Sequence, residues 1–442
     1  MKTKNLFTGI LFGTALLFSA CTIQEDNIGD VIINQGGDGS TSGTIVLEGQ
    51  ITSDLTLNAS ETYELRGGVS VVDGVTLTID AGTRIIAGDV GGVFSYLAIE
   101  QGATIMAEGT ASQPIVFTSN KSTPNPGDWG GLLLAGRAPI NRGTTATTEV
   151  ANLTYGGTDA ADSSGILRYV RLEYTGGKIN DDAEYNGLSL YGVGNGTTIE
   201  YIQAFNGNDD GIEFFGGTVN LKYAIVTGAG DDSYDWTDGW VGNGQFWIAQ
   251  QTSAAGDKGI EADNFSDNPG AAPFSNPTLS NITLIGAEDG DGENKGIEFR
   301  AGTKVSMYNT IIKAFPGKGI EVDDDQTLVN LNNNEVIVRN SIIDNVNSFD
   351  LDHGGVATVD LADFATFNNF TVDGSGAPFN TMGTAIPSGF VINGVRGSYE
   401  YTTAVDGVDN FDPSTLNSFF TAANYAGALQ DSDTWTDGWA RL

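Results

Sequence analysis

The sequence predicts an all-β fold, a right-handed single-stranded parallel β-helix with a C-terminal cap, and three observations carry that expectation. The first is a repeated nonapeptide: DDGIEFFGG from Asp209 is answered 22 residues later by DDSYDWTDG from Asp231. The second is the continuation of that frame. It runs back through GLSLYG at Gly187 and GLLLAG at Gly131, and forward through GIEAD at Gly259, GIEFR at Gly296, GIEVD at Gly319 and the looser SFDLD at Ser348. Spacings of 22 to 24 residues, lengthened by insertions, belong to a solenoid that adds one strand per turn to a parallel sheet. The third is a pair of columns, Tyr169, Tyr201 and Tyr223, then Asn281, Asn309 and Asn340. In-register coils stack identical side chains, so both columns are expected to be structural, with the Asn amides bonded along theirs.

Each element can be justified in chain order. Lys2 and Lys4, the apolar run Leu6 to Phe18, and Ser19-Ala20 before Cys21 predict a lipoprotein signal peptide over 1–20, too short to span a membrane. Cys21 is the single cysteine of the chain and the expected lipidation site, which excludes a disulfide framework. Residues 21–44 are rich in Gly, Asp and Ser and read as a flexible tether. The β-helix is expected over 45–354. Its first coils are visible where the Leu77 to Ala87 pattern returns from Leu97 to Ala107, apolar residues alternating around a fixed glycine.

Insertions at Pro139 to Gly165, Phe265 to Pro277, Glu288 to Glu293 and Asp324 to Glu335 have loop composition and are expected on the surface. Residues 355–442 lose the coil pattern. They are expected to cap the open end of the solenoid, with helix-compatible pieces such as Pro413 to Ala428 and a packed final strand at TWTDGWARL.

GDWGG before an apolar strand, NGLSLYGVG, NDDGIEFFGG, GDDSYDWTDGW and the terminal WTDGW together resemble the largely uncharacterised β-helix lipoproteins of Bacteroidota, over about Gly127 to Leu442. Gln24-Glu25-Asp26 after Cys21 likewise resembles the surface-export signal of such lipoproteins. The resemblance implies a β-helix anchored by lipid in the outer membrane and facing the cell exterior. It carries no catalytic residues to this chain.

Without the signal peptide, 18 basic residues face 56 acidic ones. A charge of that size and sign makes nucleic acid and anionic lipid poor partners and favours cations, neutral glycans or cation-bridged glycans. Strand parity turns one column outward: Leu133, Ser189, Glu213, Asp235, Glu261, Glu298, Glu321 and Asp350. Six carboxylates one strand apart need compensation. Lys258, Lys295 and Lys318, each three residues ahead of a Glu, and Arg300 beside Glu298 supply it in the later turns, on a face read as salt-bridged and exposed. Arg300, Lys318 and Glu298 are the candidate catalytic residues should that face belong to a uronate lyase.

In the earlier turns the lysine position holds Asp210 and Asp232, with Lys222 the one basic residue nearby. Asp209, Asp210, Glu213, Asp231, Asp232, Asp235 and Asp238 form a hard-oxygen set suited to Ca²⁺; alternatively, each aspartate caps a coil corner. Trp240 and Trp247 are the candidate sugar-stacking platform. A lone histidine, His353, excludes zinc and triad chemistry, and no nucleotide motif occurs. The function expected is binding of an extracellular glycan by a surface lipoprotein with Ca²⁺-stabilised coils. A Ca²⁺-dependent polysaccharide lyase or glycoside hydrolase stands as one alternative, and a structural adhesin or outer-membrane transporter partner as another.

Overall fold

A computed structural model describes residues 34–35, 44–180, 183–252, 256–287, 293–344, 347–352, 411–430 and 433–441. The expected signal peptide, Cys21, His353 and residues 355–410 lie outside these. Twenty-five of the described strands form one assembly wound as a right-handed parallel β-helix, and the others form two-stranded hairpins outside it. Each coil contributes to three faces. The first face runs through Leu132–Ala135, Leu188–Tyr191, Ile212–Phe215, Tyr234–Thr237, Lys258–Ala262, Lys295–Phe299, Lys318–Asp323 and Asn347–Asp352, each paired in parallel with the next. That register stacks Leu133, Ser189, Glu213, Asp235, Glu261, Glu298, Glu321 and Asp350 in one column, as strand parity predicts.

The glycine that opens most first-face strands follows from coil spacing, Ser233 and Ser348 holding the position in the other two coils. A Cβ on Gly187 would lie 2.4 Å from the carbonyl oxygen of Gly211, and one on Gly296 would lie 2.4 Å from that of Gly319. At these two glycines, strands about 4.8 Å apart leave no room for a side chain.

The second and third faces are made by single long strands that bend once: Gly165–Glu173, Thr198–Phe205, Asn220–Thr227, Asn243–Gln250, Thr278–Ile285 and Val305–Lys313. The bend is one left-handed residue per coil, namely Tyr169, Tyr201, Tyr223, Phe246, Asn281, Asn309 and then Asn340, with φ between 52° and 61°. The two columns seen in the sequence are therefore one column that changes from aromatic to amide. Asn281 and Asn309 do not bond along it. Asn281 Nδ2 donates to the carbonyls of Ala423 and Tyr425, and Asn309 Nδ2 to those of Phe411 and Ala423.

These bonds locate the described part of the expected capping region, residues 411–430 and 433–441, on the solenoid; residues 355–410 of it lie outside the described residues. The described part runs as a strap along the flank, where Gln245 receives the Thr421 N–H, Lys222 donates to the Phe419 carbonyl, and Trp439 packs edge-on against Tyr169 and Tyr201. The helix expected near Pro413 is only a 3₁₀ turn, Pro413–Thr415, and the last residues form turns in place of a strand.

Two other expectations change. Residues 325–332, read as loop, form α1 (Asp325–Asn332): Asp324 caps its N-terminus by accepting the N–H groups of Gln326 and Thr327, while Leu328 and Leu331 are buried. Within the expected tether, Asn34–Gln35 pairs antiparallel with Ile45 and Val46.

The core is one continuous apolar column inside the coils. Its centre is aromatic, with Phe214 stacked on Trp240 at 3.9 Å and Tyr234 on Trp247 at 4.6 Å. A satellite cluster sits outside the first face. There Ile140, Val150, Leu153 and Tyr155 from the first large insertion cover Leu133, Tyr191 and Phe215. The insertion is a roof over the early coils.

Candidate metal centre

The acidic column begins where the roof ends. Glu213, Asp210 and Asp232 are buried, Asp235 is half-buried, and Asp231 is exposed at the rim. One carboxylate oxygen from each of Asp210, Glu213 and Asp235 lies within 4.8 Å of the others. The same holds for Asp209, Asp210 and Asp231, for Asp231, Asp232 and Asp257, and for Asp232, Asp235 and Glu261. Four overlapping triads make one strip across three coils.

Backbone geometry fixes part of this strip. Asp210 Oδ1 accepts the N–H of Asp232 at 2.9 Å, and Asp232 Oδ1 accepts the N–H of Lys258 at 2.6 Å. Each aspartate thus caps the next coil with one oxygen, leaving its second oxygen to the strip. Asn186 Nδ2 donates to Glu213. Asp235 Oδ1 is buried with no hydrogen-bond partner among the described residues. An acceptor left in that state costs free energy unless a cation or a proton meets it.

The electrostatics agree. Burial first, and then the charges of neighbouring carboxylates, raise Asp210, Glu213, Asp232 and Asp235 well above the carboxylate range. Asp209 is pushed up to about 8 by burial and by Glu184 and Asp231. At the roof edge Glu149 is pushed up to about 7, through desolvation opposed by Arg142 and reinforced by Asp238 and Glu184. At neutral pH the strip must take up protons or hold a cation. Its donors are all hard oxygens at spacings that six- to eight-coordinate Ca²⁺ accommodates.

The later coils are compensated as the lysine pattern predicts, but the ladder is buried instead of exposed. Lys258 Nζ lies 3.0 Å from Glu261 and 3.5 Å from Glu298; Lys295 Nζ lies 2.7 Å from Glu298 and also pairs with Glu321. Despite burial, Lys295 and Lys258 hold Glu298 below its usual range. Arg300 bonds Glu261 and, at 2.8 Å, Asp263; against the cost of burial, those carboxylates raise its pKa further. A guanidinium so held does not serve as a base, and an ionised Glu298 does not serve as an acid. Lys318 lies one coil beyond Lys295 on the same face.

Three predicted site residues are corrected. Trp240 and Trp247 are fully buried in the core, their indole N–H groups donating to the carbonyls of Val219 and Leu221, so neither can stack on a sugar. Asp238 stands apart from the strip, bonded at 2.6 Å to Arg142 and at 2.7 Å to Tyr155, where it anchors the roof. Lys222, expected near the acidic coils, instead donates to the strap. Three carboxylates were missed. Asp257 occupies the repeat position of Asp209 and Asp231 and could have been found by register, whereas Glu149 and Glu184 come from insertions with no period to place them.

Residues 49–440 match the family model for a pectate-lyase-like β-helix domain. The chain belongs to the pectate-lyase-like β-helix family. No curated protein and no solved structure matches it. A pectate-lyase-like β-helix domain fits a carbohydrate-related role. In this member the strip lies on the outer side of the first face, flanked by the roof at one end and by the Lys and Arg ladder at the other.

Proposed function

We propose that this pectate-lyase-like domain is the extracellular part of a surface lipoprotein that binds a glycan through Ca²⁺ held in the acidic strip. The observation that carries the reading is the strip itself: overlapping carboxylate triads on adjacent coils, with Asp235 Oδ1 unpaired and the Lys and Arg ladder beginning only at its far end. Asp210, Glu213 and Asp235 would hold the ion, with Asp209, Asp231 and Asp232 beside them. Bound there, Ca²⁺ would supply the positive charge that an acidic or hydroxyl-rich glycan needs. The signal-peptide pattern ahead of Cys21 and the resemblance to Bacteroidota lipoproteins support the surface location, with Cys21 as the proposed lipid attachment site.

Binding is favoured over catalysis because Arg300 and Glu298 are engaged in ion pairs that fix their protonation states. The test is a glycan array probed with the full mature chain in millimolar Ca²⁺ and again in chelator. Retention of an acidic glycan only with Ca²⁺ is expected. A rise in ultraviolet absorbance on a uronate polymer would establish a lyase instead, and no retention of any glycan would remove the glycan from the account.

A further inference from the structure

A cleft of about 510 Å³ lies on the corner opposite the acidic face, between the bend column and the strap. Its floor is Tyr169, Tyr201, Tyr223 and Phe246, stacked in order with centroid separations of 4.2, 4.4 and 5.1 Å. Its walls are Tyr425 and Trp435, with Gln430, Asp433 and Thr421 among the polar lining. Asp433 is oriented by the Tyr425 hydroxyl and the Gln430 N–H, each at 3.0 Å.

The bend column shows why this lining is unusual. In the last three coils it holds asparagine, which tolerates the left-handed conformation. Under the cleft it holds four aromatic residues at φ of 52° to 61°, a conformation disfavoured for bulky side chains. Strain of this kind, concentrated beneath one cavity, points to a use for the rings that asparagine could not serve. The three tyrosines also remain half-exposed, unlike the core aromatics.

We propose that this cleft binds a neutral pyranose unit. Its volume is of small-ligand size. Ring edges and the Trp435 indole give apolar surface for sugar C–H groups, while phenol, amide and carboxylate groups supply the mixed donors and acceptors that sugar hydroxyls need. None of the described residues lining the cleft is basic, and the Lys222 ammonium beside the Tyr223 and Phe246 rings is engaged by the Phe419 carbonyl and the Thr421 hydroxyl, so the lining favours a neutral sugar over a uronate. The inference rests on the glycan-binding reading for its ligand class, and it shares no residue with the acidic strip.

The test is a calorimetric titration of the full mature chain, in chelator, with the methyl glycosides of glucose, galactose and mannose. Saturable binding of at least one is expected. The triple variant Tyr169→Phe, Tyr201→Phe and Tyr223→Phe keeps the stacked rings and removes their hydroxyls. It should weaken binding about tenfold or more, since the hydroxyls that bond the sugar are lost while the stacking surface stays. Its melting temperature should stay near that of the parent, and the double variant Asp210→Asn with Asp232→Asn should bind as the parent does. No binding of any of the three glycosides, equal binding by the triple variant, or a preference for a methyl uronate or an alkylammonium ion would overturn the assignment. Failure of Ca²⁺ binding at the strip would leave it untouched.

Discussion

Lys295→Met is expected to destabilise the protein by about 3–5 kcal/mol at neutral pH, the usual cost of removing one partner from a buried ion pair. Lys295 is the cation between Glu298 and Glu321, and all three side chains are nearly buried. Methionine fills similar volume, so the loss is electrostatic. The pH dependence distinguishes this from a packing defect. Glu298 has a folded pKa below its ordinary value, so the stability it contributes is present above pH 4.5 or so and is lost as pH falls through the folded pKa. The deficit of the variant should therefore be large at pH 7 and shrink towards acid, where the parent loses the same pair. Urea denaturation at several pH values reads it directly. A deficit independent of pH would show that packing, not charge, is what Lys295 supplies.

Trp247→Ala is the second large effect, about 3–5 kcal/mol from the cavity it leaves. Trp247 stacks on Tyr234, lies 6.2 Å from Trp240 and donates its N–H to the Leu221 carbonyl in the dry centre of the coils. The midpoint of urea unfolding should fall accordingly. Ca²⁺-dependent glycan retention, measured well below that midpoint, should be unchanged. Loss of retention by a still-folded Trp247→Ala protein would restore the indole as a sugar platform.

The history of that tryptophan shows which parts of the molecule the sequence discloses. The first-face column, Leu133 to Asp350, is legible because alternation along a short strand is a local property and coil spacing is regular. The long strands defeat the same rule. In Asn243–Gln250 the left-handed Phe246 interrupts alternation, so Trp247 turns into the core although it lies beside a corner of the coil. The strip's own aspartates are legible by repeat position, but their burial is not. It depends on the roof, whose Ile140, Val150 and Tyr155 meet Tyr191 and Phe215 across long stretches of chain without periodicity. The strap escapes for the same reason: the Asn column reads as self-bonding until Ala423 and Tyr425 are seen to accept from Asn281. Helix α1 was hidden by a polar composition in which only Leu328 and Leu331 mark a buried side.

The central claim, that a cation occupies the acidic strip, is tested most directly by the melting temperature of the full mature chain in Ca²⁺ and in chelator across pH. Asp209 has a folded pKa of about 8, above its ordinary value. Its favourable contribution is therefore complete below about pH 4 and lost as pH rises through 8, and its raised neighbours act in the same sense. In chelator the melting temperature should fall over that range. Ca²⁺ should restore it at pH 8, by about 2.7 kcal/mol when the free ion is a hundredfold above Kd, and do little at pH 4 to 5, where protons compete. Mg²⁺ should do less, since it demands a tighter shell. Asp210→Asn with Asp232→Asn keeps both coil-capping acceptors yet removes two charges, so it should flatten the Ca²⁺ response and raise the chelator value at pH 8. Equal melting temperatures in Ca²⁺ and in chelator at pH 8 would contradict the claim and leave the aspartates as coil caps that share protons.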